Sequence, residues 1–238
     1  MRVAIHQPNF LPWPGYFAKM LAADLLIFLD DVQFSKGSYT NRVGACGTRW
    51  LTVPVGSGSH NRPICDVEIV KPEESLPRVQ NFIREYFVGP HQEELLDIVR
   101  RPLESRNGSL LKLNRGLIWE VGAALRTPRP SEVQASDLRR YPWAKTDGLL
   151  QLLKEVSATT YVSGRGGNAY HDEDAFAEAG IAIEYREWKH PHGKMIGDSI
   201  AHMIAAYGGE VARDLVLEGS GIWGPSSSAE PEEAAPVS

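Results

Sequence analysis

The chain has 238 residues, of which 42% are hydrophobic and 23% are charged, a composition typical of a chain that folds around a hydrophobic core. The formal net charge of -5 argues against a protein that wraps nucleic acid, because phosphate binding needs a basic face. The sequence has neither the apolar core of a signal peptide nor a run approaching the ~20 apolar residues of a membrane span. The two cysteines form no CxxC motif, so we expect a cytoplasmic protein without a disulfide framework or a structural zinc site.

The N-terminal residues predict a βαβ unit. Residues 3–5 are short and apolar, residues 13–23 carry apolar side chains at helical spacing, and residues 25–29 form a continuous apolar run. A run of this kind is typical of a strand that is covered on both faces. Strand, helix and strand within about thirty residues have the size of a right-handed parallel crossover.

The rest of the chain alternates between the two types of element. The further segments with a strand pattern are residues 49–55, 64–70, 159–163 and 181–188. The further segments with a helical pattern are residues 73–125, 145–157, 172–179 and 197–207. This alternation predicts an α/β fold with a mainly parallel, Rossmann-like sheet, flanking helices and a helical insertion in the middle of the chain.

The domain organisation predicted from this pattern is one domain over residues 1–218. A helical subdomain is expected at about 73–126. Residues 219–238 are dominated by Ser, Pro, Glu and Ala, and such a composition buries too little apolar surface to offset the entropy of ordering. We therefore expect a disordered tail that is dispensable for folding.

Polar side chains follow the first two predicted strands at the point where each strand ends. His6 and Gln7 follow the first strand, and Asp30, Asp31 and Gln33 follow the second. Ligands of parallel α/β sheets bind at this carboxyl edge, so these side chains are expected to share a crevice. A histidine beside a carboxylate suits general-base catalysis, which makes His6 and Asp30 the candidate catalytic pair. The alternative is a buried His–Asp pair that only ties the two strands together.

Two later segments could hold an anion. Lys36, Asn41 and Arg42 lie in a polar loop and could clamp a phosphate, although a solvated hairpin would have the same composition. The glycine-rich segment SGRGGNAY follows a predicted strand, and its backbone amides together with Arg165 could cradle an anion. A plain strand-to-helix turn is the alternative there. His190 belongs to a cationic cluster, and Cys46 is more typical of a small buried thiol than of a nucleophile.

Four sequence blocks, in order over residues 3–210, resemble the WbqC-like protein family. They are HQPNFLPWPGYFAK with LDDVQFSKGSYTNR, then SLLKLNRGLIWEVGAAL, then KTDGLLQLLKEVSATTYVSGRGGNAY, and finally WKHPHGKMIGDSIAHMIAAYGGE. The stretch after the HP motif is shorter here than in the family. Together with the sheet-edge argument, the resemblance implies a site with His6 and Asp30 as catalytic residues and no metal ligands. The implied substrate-binding residues are Gln7, Asn9, Tyr16, Asp31, Gln33, Lys36, Asn41, Arg42, Asn114, Ser163, Gly164, Arg165, Tyr170 and His190.

The resemblance also implies a class of function. Members of the family occur in gene clusters for O-antigen and other surface polysaccharides, and a glycine transferase role has been suggested for some of them. The implied activity is therefore transfer of a small acyl or aminoacyl group, such as glycyl, to a sugar or related metabolite, with a small anionic or phosphorylated ligand. An ATP-dependent nucleotidyl or adenylyl transferase, or an amide-forming enzyme of HIGH-type architecture, is one alternative. A non-catalytic subunit of a biosynthetic complex is the other.

Overall fold

The computed structural model describes residues 1–45, 49–105, 107–138, 145–169, 171–193 and 199–223. Its strands are β1 (Arg2–His6), β2 (Leu25–Phe28), β3 (Arg42–Gly44), β4 (Trp50–Thr52), β5 (Ser131–Gln134), β6 (Thr160–Gly164), β7 (Ala182–Trp188) and β8 (Ser220–Ile222). The helices are α1 (Pro14–Leu21), α2 (Pro72–Tyr86), α3 (Gln92–Glu104), α4 (Leu110–Ala124), α5 (Ala135–Leu138), α6 (Lys145–Glu155), α7 (Glu173–Glu178) and α8 (Ile200–Glu218).

Six strands form one sheet in the order β5-β2-β1-β6-β7-β8, and β3 pairs with β4 in a separate hairpin. The first five strands of the sheet are parallel, and only β8 runs antiparallel to its neighbour. This architecture confirms the predicted α/β class with a mainly parallel, Rossmann-like sheet. Strand β2 is buried along its whole length, because both faces of the sheet are covered.

Side-chain alternation along the central strands divides the core into two layers. Ala4, Leu26 and Phe28 point to one face, where they pack with α1–α4 and α8. Val3 and Ile27 point to the other face, where they pack with α6 and α7. A period of two residues per strand produces this division. The helices of the predicted central insertion thus share their hydrophobic cluster with one face of the sheet.

The sheet has a switch point between β1 and β6. After β1 the chain crosses to β2 and later adds β5 on the outer side of β2, and it then returns to place β6 and β7 on the opposite side of β1. At such a point the crossover connections diverge, and they leave a crevice outside the carboxyl ends of the two strands. His6 ends β1 and Gly164 ends β6, so both residues lie at the mouth of this crevice.

The strand predicted at residues 64–70 is wrong. Ile64–Asp66 forms a single 3-10 turn, and Ile69 makes only an isolated antiparallel bridge with Val55. The amides of this segment find separate partners, such as the carbonyls of Val32 and Gly108. Its apolar residues reflect burial under loops rather than membership of a sheet.

The tail predicted to be disordered from residue 219 also needs correction. Ser220–Ile222 is strand β8 and pairs with the edge strand β7. The amide of Trp223 donates to the carbonyl of Tyr185 at 2.9 Å, and the two rings meet edge to face. The prediction failed because the composition of the whole tail is polar, although Ile222 and Trp223 are apolar. Residues 224–238 lie outside the described residues.

Helix α8 begins later and ends later than the prediction of residues 197–207. The hydroxyl of Ser199 caps its first turn by accepting from the amide of Ala201, as serine commonly does at a helix start. The helix runs on to Glu218 through a kink at Gly208, whose φ of 79° favours glycine. The sequence pattern predicted that the helix ends at residue 207, but the chain only kinks at Gly208 and the helix continues.

Candidate active site

Two cavities meet at the carboxyl end of β1. The basic cavity has a volume of about 310 Å³ and is lined by His6, Trp13, Gly15, Ala18, Lys19, Gly164, Arg165, Gly166, Arg186, Glu187, Trp188 and Lys189. The apolar cavity has a volume of about 480 Å³ and is lined by His6, Asn9, Phe10, Leu11, Pro12, Trp13, Tyr39 and Val43. His6 and Trp13 line both cavities, so the two adjoin at these side chains and are together called the crevice.

A larger groove of about 980 Å³ lies elsewhere on the sheet. Its lining includes Arg2, Thr160 and Ala182, which begin β1, β6 and β7. These residues are at the amino ends of the parallel strands. Ligands of open α/β sheets bind at the carboxyl ends, so the crevice at His6 is the better candidate for the active site.

His6 is a neutral imidazole with a defined tautomer. Its Nδ1 lies 3.0 Å from the carbonyl oxygen of Gln7, and a carbonyl can only accept, so Nδ1 carries the proton. Burial and the charge of Lys19 lower the pKa of His6 to about 3. Nε2 is therefore an unprotonated acceptor at neutral pH, and it has no partner among the described contacts. The ring packs against Tyr16 with their centroids 4.4 Å apart.

Lys19 is the second titratable group of the basic cavity, and the sequence analysis missed it. Its side chain extends from α1 under β1, where Nζ donates to the carbonyl of Ile5 at 2.9 Å. The residue is only 7% exposed, and burial lowers its pKa from 10.5 to about 7. A lysine three residues after Tyr16 and directly before Met20, on the apolar face of an amphipathic helix, is the signal that could have identified it.

Trp13 forms the wall between the two cavities. A Cβ added to Gly15 would lie 2.1 Å from the Trp13 ring, so glycine at this position lets the indole fold over the start of α1. The edge of Trp13 also meets Trp188 at a centroid distance of 6.3 Å. The indole is nevertheless 43% exposed, which leaves it open to contact with a ligand.

The glycine-rich loop after β6 forms the opposite wall of the basic cavity. A Cβ built on Gly164 or Gly166 would meet no atom within 4 Å, whereas one on Gly167 would collide with Ser163 and His171. Gly167 is therefore required for packing, and the other two glycines leave their backbone open to approach. Gly164 and Arg165, predicted from the sequence as anion-binding residues, thus lie in the same cavity as His6.

The basic cavity has an excess of positive charge. Four of its lining residues are basic, namely Lys19, Arg165, Arg186 and Lys189, and one is acidic. That acidic residue, Glu187, is shared by Arg165 at 3.8 Å and Lys189 at 3.5 Å. Arg186 is also paired, with Glu184 at 2.6 Å. The basic side chains still outnumber these two carboxylates, which suits the cavity to a small anion.

Asp30 does not orient His6. Its carboxylate is fully buried and accepts from both the amide and the hydroxyl of Ser136, at 3.0 and 2.7 Å. These bonds fasten the end of β2 to the start of α5, and burial raises the pKa of Asp30. The predicted catalytic partnership is replaced by a structural one, because Ser136, which was not singled out in the sequence, satisfies the carboxylate.

Two predicted residues in the first part of the loop after β2 do not line the crevice. Asp31 and Gln33 line a separate shallow depression with Arg62. Burial raises the pKa of Asp31 to about 6. The side chain of Gln33 donates to a backbone carbonyl of the neighbouring loop.

The two cations of the predicted clamp also lie away from both cavities. Lys36 is exposed. The guanidinium of Arg42 stacks 4.2 Å from the Trp50 ring, because the β3–β4 hairpin places these side chains on adjacent strands. Neither residue lines the basic or the apolar cavity.

Two of the predicted substrate-binding amides, Asn114 and Gln7, brace the turn that follows His6, and Asn41 braces the neighbouring loop. The amide of Asn114 donates to the carbonyls of Pro8 and Thr40, both at 2.7 Å. The side chain of Asn41 donates to the carbonyl of Val53 at 3.0 Å, and Gln7 accepts from the Thr40 hydroxyl at 3.3 Å. The bonds of Asn114 and Gln7 fix the turn after β1 and thereby the direction of the imidazole.

The remaining predicted residues are placed as follows. Asn9 lines the apolar cavity, and Tyr16 is the buried partner of the His6 ring. Ser163 is buried beside Gly167. His190 accepts from the amide of His192 at 3.2 Å and lines neither cavity. Tyr170 and Cys46 lie outside the described residues.

Within the described ranges, no group of three or more His, Cys, Asp or Glu side chains has the arrangement to hold a metal ion. In the same part of the chain, every helix is too short or too polar to cross a membrane.

Comparison with known proteins identifies the family. A profile of the WbqC-like protein family matches residues 7–195. The chain is 30% identical over 203 residues to a protein of Mycobacterium tuberculosis described as "Uncharacterized protein Rv1507c", an alignment that covers 79% of this chain and 85% of that protein. No solved structure gives a significant match. The chain belongs to the WbqC-like protein family.

Proposed function

We propose that this protein transfers a small acyl or aminoacyl group, such as glycyl, from an anionic donor to an amine or hydroxyl of a sugar or related metabolite. The proposal rests on two side chains in the wall of the basic cavity. His6 is neutral, and Lys19 has a pKa of about 7. The glycyl group and the sugar acceptor follow from the family resemblance. The acyl class of the reaction also comes from that resemblance, and the cavity supports it by offering a proton acceptor and cations for an anionic leaving group.

Two neighbouring titratable groups whose pKa values are both lowered by burial are typical of a site that moves a proton. His6 offers an unprotonated nitrogen but is a weak base, because burial and Lys19 hold its pKa near 3. Lys19 has a pKa of about 7, which is close to the ideal for a general base at neutral pH. The two groups interact, so they are expected to titrate as a pair.

In the transfer step, His6 and Lys19 act on the acceptor, and the other basic side chains act on the leaving group. An acceptor amine or hydroxyl held by Nε2 of His6 attacks the carbonyl carbon of the donor, and its proton passes to the unprotonated His6–Lys19 pair. The bond from that carbon to the leaving oxygen breaks, and the leaving group departs with the electron pair as an anion. Arg165, Arg186 and Lys189 stabilise this developing negative charge. The proton is then released to solvent.

The test is an assay with acetyl phosphate or glycyl phosphate as the donor and a panel of amino sugars as acceptors, with products identified by mass spectrometry. We expect His6→Gln and Lys19→Met each to reduce the rate roughly 10²- to 10⁴-fold, the usual size of a general-base loss. The wild-type rate should rise with pH through about 7, as Lys19 loses its proton. Lys112→Met, on an exposed position of α4, is the control. Equal rates in wild type and His6→Gln would contradict the proposal.

A further inference from the structure

We infer that the donor is a nucleoside phosphate, whose base occupies the apolar cavity and whose phosphates occupy the basic cavity. This inference rests on the proposed function, because it takes the crevice at His6 as the active site. It adds the identity of the donor class, which neither the family nor the relative supplies. The argument depends on the lining of the apolar cavity and on the side chains that it shares with the basic one.

The apolar cavity is larger than a glycyl group requires. Its volume is about 480 Å³, which is within the range of sites that bind drug-sized molecules. Its walls include the rings of Phe10, Trp13 and Tyr39. The cavity therefore has room for a second, apolar part of the ligand beside the group that is transferred.

Two of these rings are fixed in position and still exposed. Trp13 is 43% exposed and Tyr39 is 52% exposed, although large aromatic side chains are usually buried. Trp13 is held over Gly15, and Tyr39 is held against Trp50 at a centroid distance of 5.9 Å. Rings that are held in place but uncovered are suited to stacking on a planar group, because little rotational freedom is lost on binding.

Asn9 supplies hydrogen-bonding capacity inside the apolar cavity. It is half-buried, and its amide has no hydrogen-bond partner among the described contacts. A carboxamide offers one acceptor and two donors in a plane, which matches the donor and acceptor pattern on the edge of a nucleobase. A hydrocarbon chain would leave this amide unsatisfied.

The side chains that the two cavities share determine the order of the groups in the ligand. His6 and Trp13 line both cavities, so a ligand with a planar head and an anionic tail can occupy both. A nucleoside phosphate has this form, with its sugar passing His6 and its phosphates directed to Arg165 and Lys189. A simple sugar phosphate would fill only the basic cavity.

Calorimetric titration with four compounds tests the inference: pyrophosphate, ribose 5-phosphate, ADP and UDP. We expect ADP or UDP to bind at least about tenfold more tightly than ribose 5-phosphate, because stacking on aromatic side chains adds affinity. Tyr39→Ala and Asn9→Ala should weaken nucleotide binding roughly 5- to 100-fold and leave pyrophosphate binding unchanged. Leu217→Ala, which removes an apolar side chain that is also 52% exposed but lies on α8, should change neither.

The outcomes separate this inference from the proposed function. If ribose 5-phosphate binds as tightly as both nucleotides, or if Tyr39→Ala and Asn9→Ala do not change nucleotide affinity, the assignment of the apolar cavity to a base is wrong. The anion site in the basic cavity would still be supported by pyrophosphate binding. If none of the four compounds binds, pyrophosphate included, the result counts against the proposed function as well. A preference for ADP would indicate a donor activated by a nucleoside triphosphate. A preference for UDP would indicate that the activating nucleoside of the donor is uridine.

Discussion

Lys19 makes the stability of the protein depend on pH. Its pKa falls from 10.5 to about 7 on burial, so between these values the unfolded chain binds a proton that the folded chain does not. The free energy of unfolding therefore rises with pH over this window. Below pH 7 the lysine destabilises the fold on the order of 4 kcal/mol, the equivalent of the shift.

Lys19→Met tests whether the buried lysine destabilises the fold, because methionine has a side chain of similar length and no charge. At pH 6 we expect the variant to be more stable than wild type by about 2–4 kcal/mol, after allowing roughly 1 kcal/mol for the lost hydrogen bond to Ile5. Near pH 10 the gain should largely disappear. Urea unfolding at both pH values is the measurement, and a variant that is less stable at pH 6 would contradict the burial argument. The same variant should lose activity, which is the usual trade-off at a strained site.

At the scale of residues, the sequence predicted the position of His6 but not its partners. The end of an apolar strand followed by Gln7 and Pro8 predicts a side chain at the sheet edge, and His6 is there. Its partners depend on side-chain directions that strand ends do not define. Asp30 accepts hydrogen bonds from Ser136 rather than from His6, and Lys19 on α1 donates a hydrogen bond to β1.

At the scale of elements, the loop after β6 is expected to bind an anion through its backbone. Gly164→Ala places a methyl group in space that is empty in the ligand-free protein, so the fold should tolerate it. Because the methyl group would hinder approach of a ligand to the loop, we expect pyrophosphate to bind about tenfold more weakly, equivalent to a loss of ~1.4 kcal/mol. Calorimetry should show no change for Gly108→Ala, whose added methyl group is equally unhindered. Equal affinities for both variants would show that the loop does not contact the anion.

Strand β8 gives a second prediction at this scale. A chain that ends at Gly219 loses the pairing of β8 with β7 and the contact of Trp223 with Tyr185. We expect its melting temperature to be about 2–8 °C below that of a chain that ends at Trp223, as for a loss of 1–2 kcal/mol in a domain of this size. Scanning calorimetry of the two chains provides the comparison. Coincident melting curves would mean that β8 adds nothing to stability.

The elements that sequence patterns missed are short or irregular. Strands β3 and β8 have three residues each, and β5 has four. Segments of this length show too little periodicity to be distinguished from loops. Strand β5 is defined by its pairing with β2, and β8 by its pairing with β7. Tertiary contacts, rather than local propensity, determine these strands.

At the scale of the whole molecule, charge is distributed unevenly. The chain carries a net charge of -5, yet four basic side chains line the cavity at the switch point. Alternation of strands and helices was sufficient to predict the parallel sheet, with His6 at its carboxyl edge. It was not sufficient to predict that the cations come from β7 and the loop after β6 rather than from Lys36 and Arg42, because the direction of the β3–β4 hairpin is a tertiary property.

The central claim is that an anionic ligand binds at the switch point between β1 and β6. Titration of isotopically labelled protein with pyrophosphate, followed by two-dimensional amide NMR spectra, tests it most directly. We expect the largest shift changes at His6, Lys19 and residues 164–166 and 186–189, with the exposed Arg78 on α2 as an internal control. Changes centred on Lys36 and Arg42, or no saturable change at the residues that line the basic cavity, would contradict the claim.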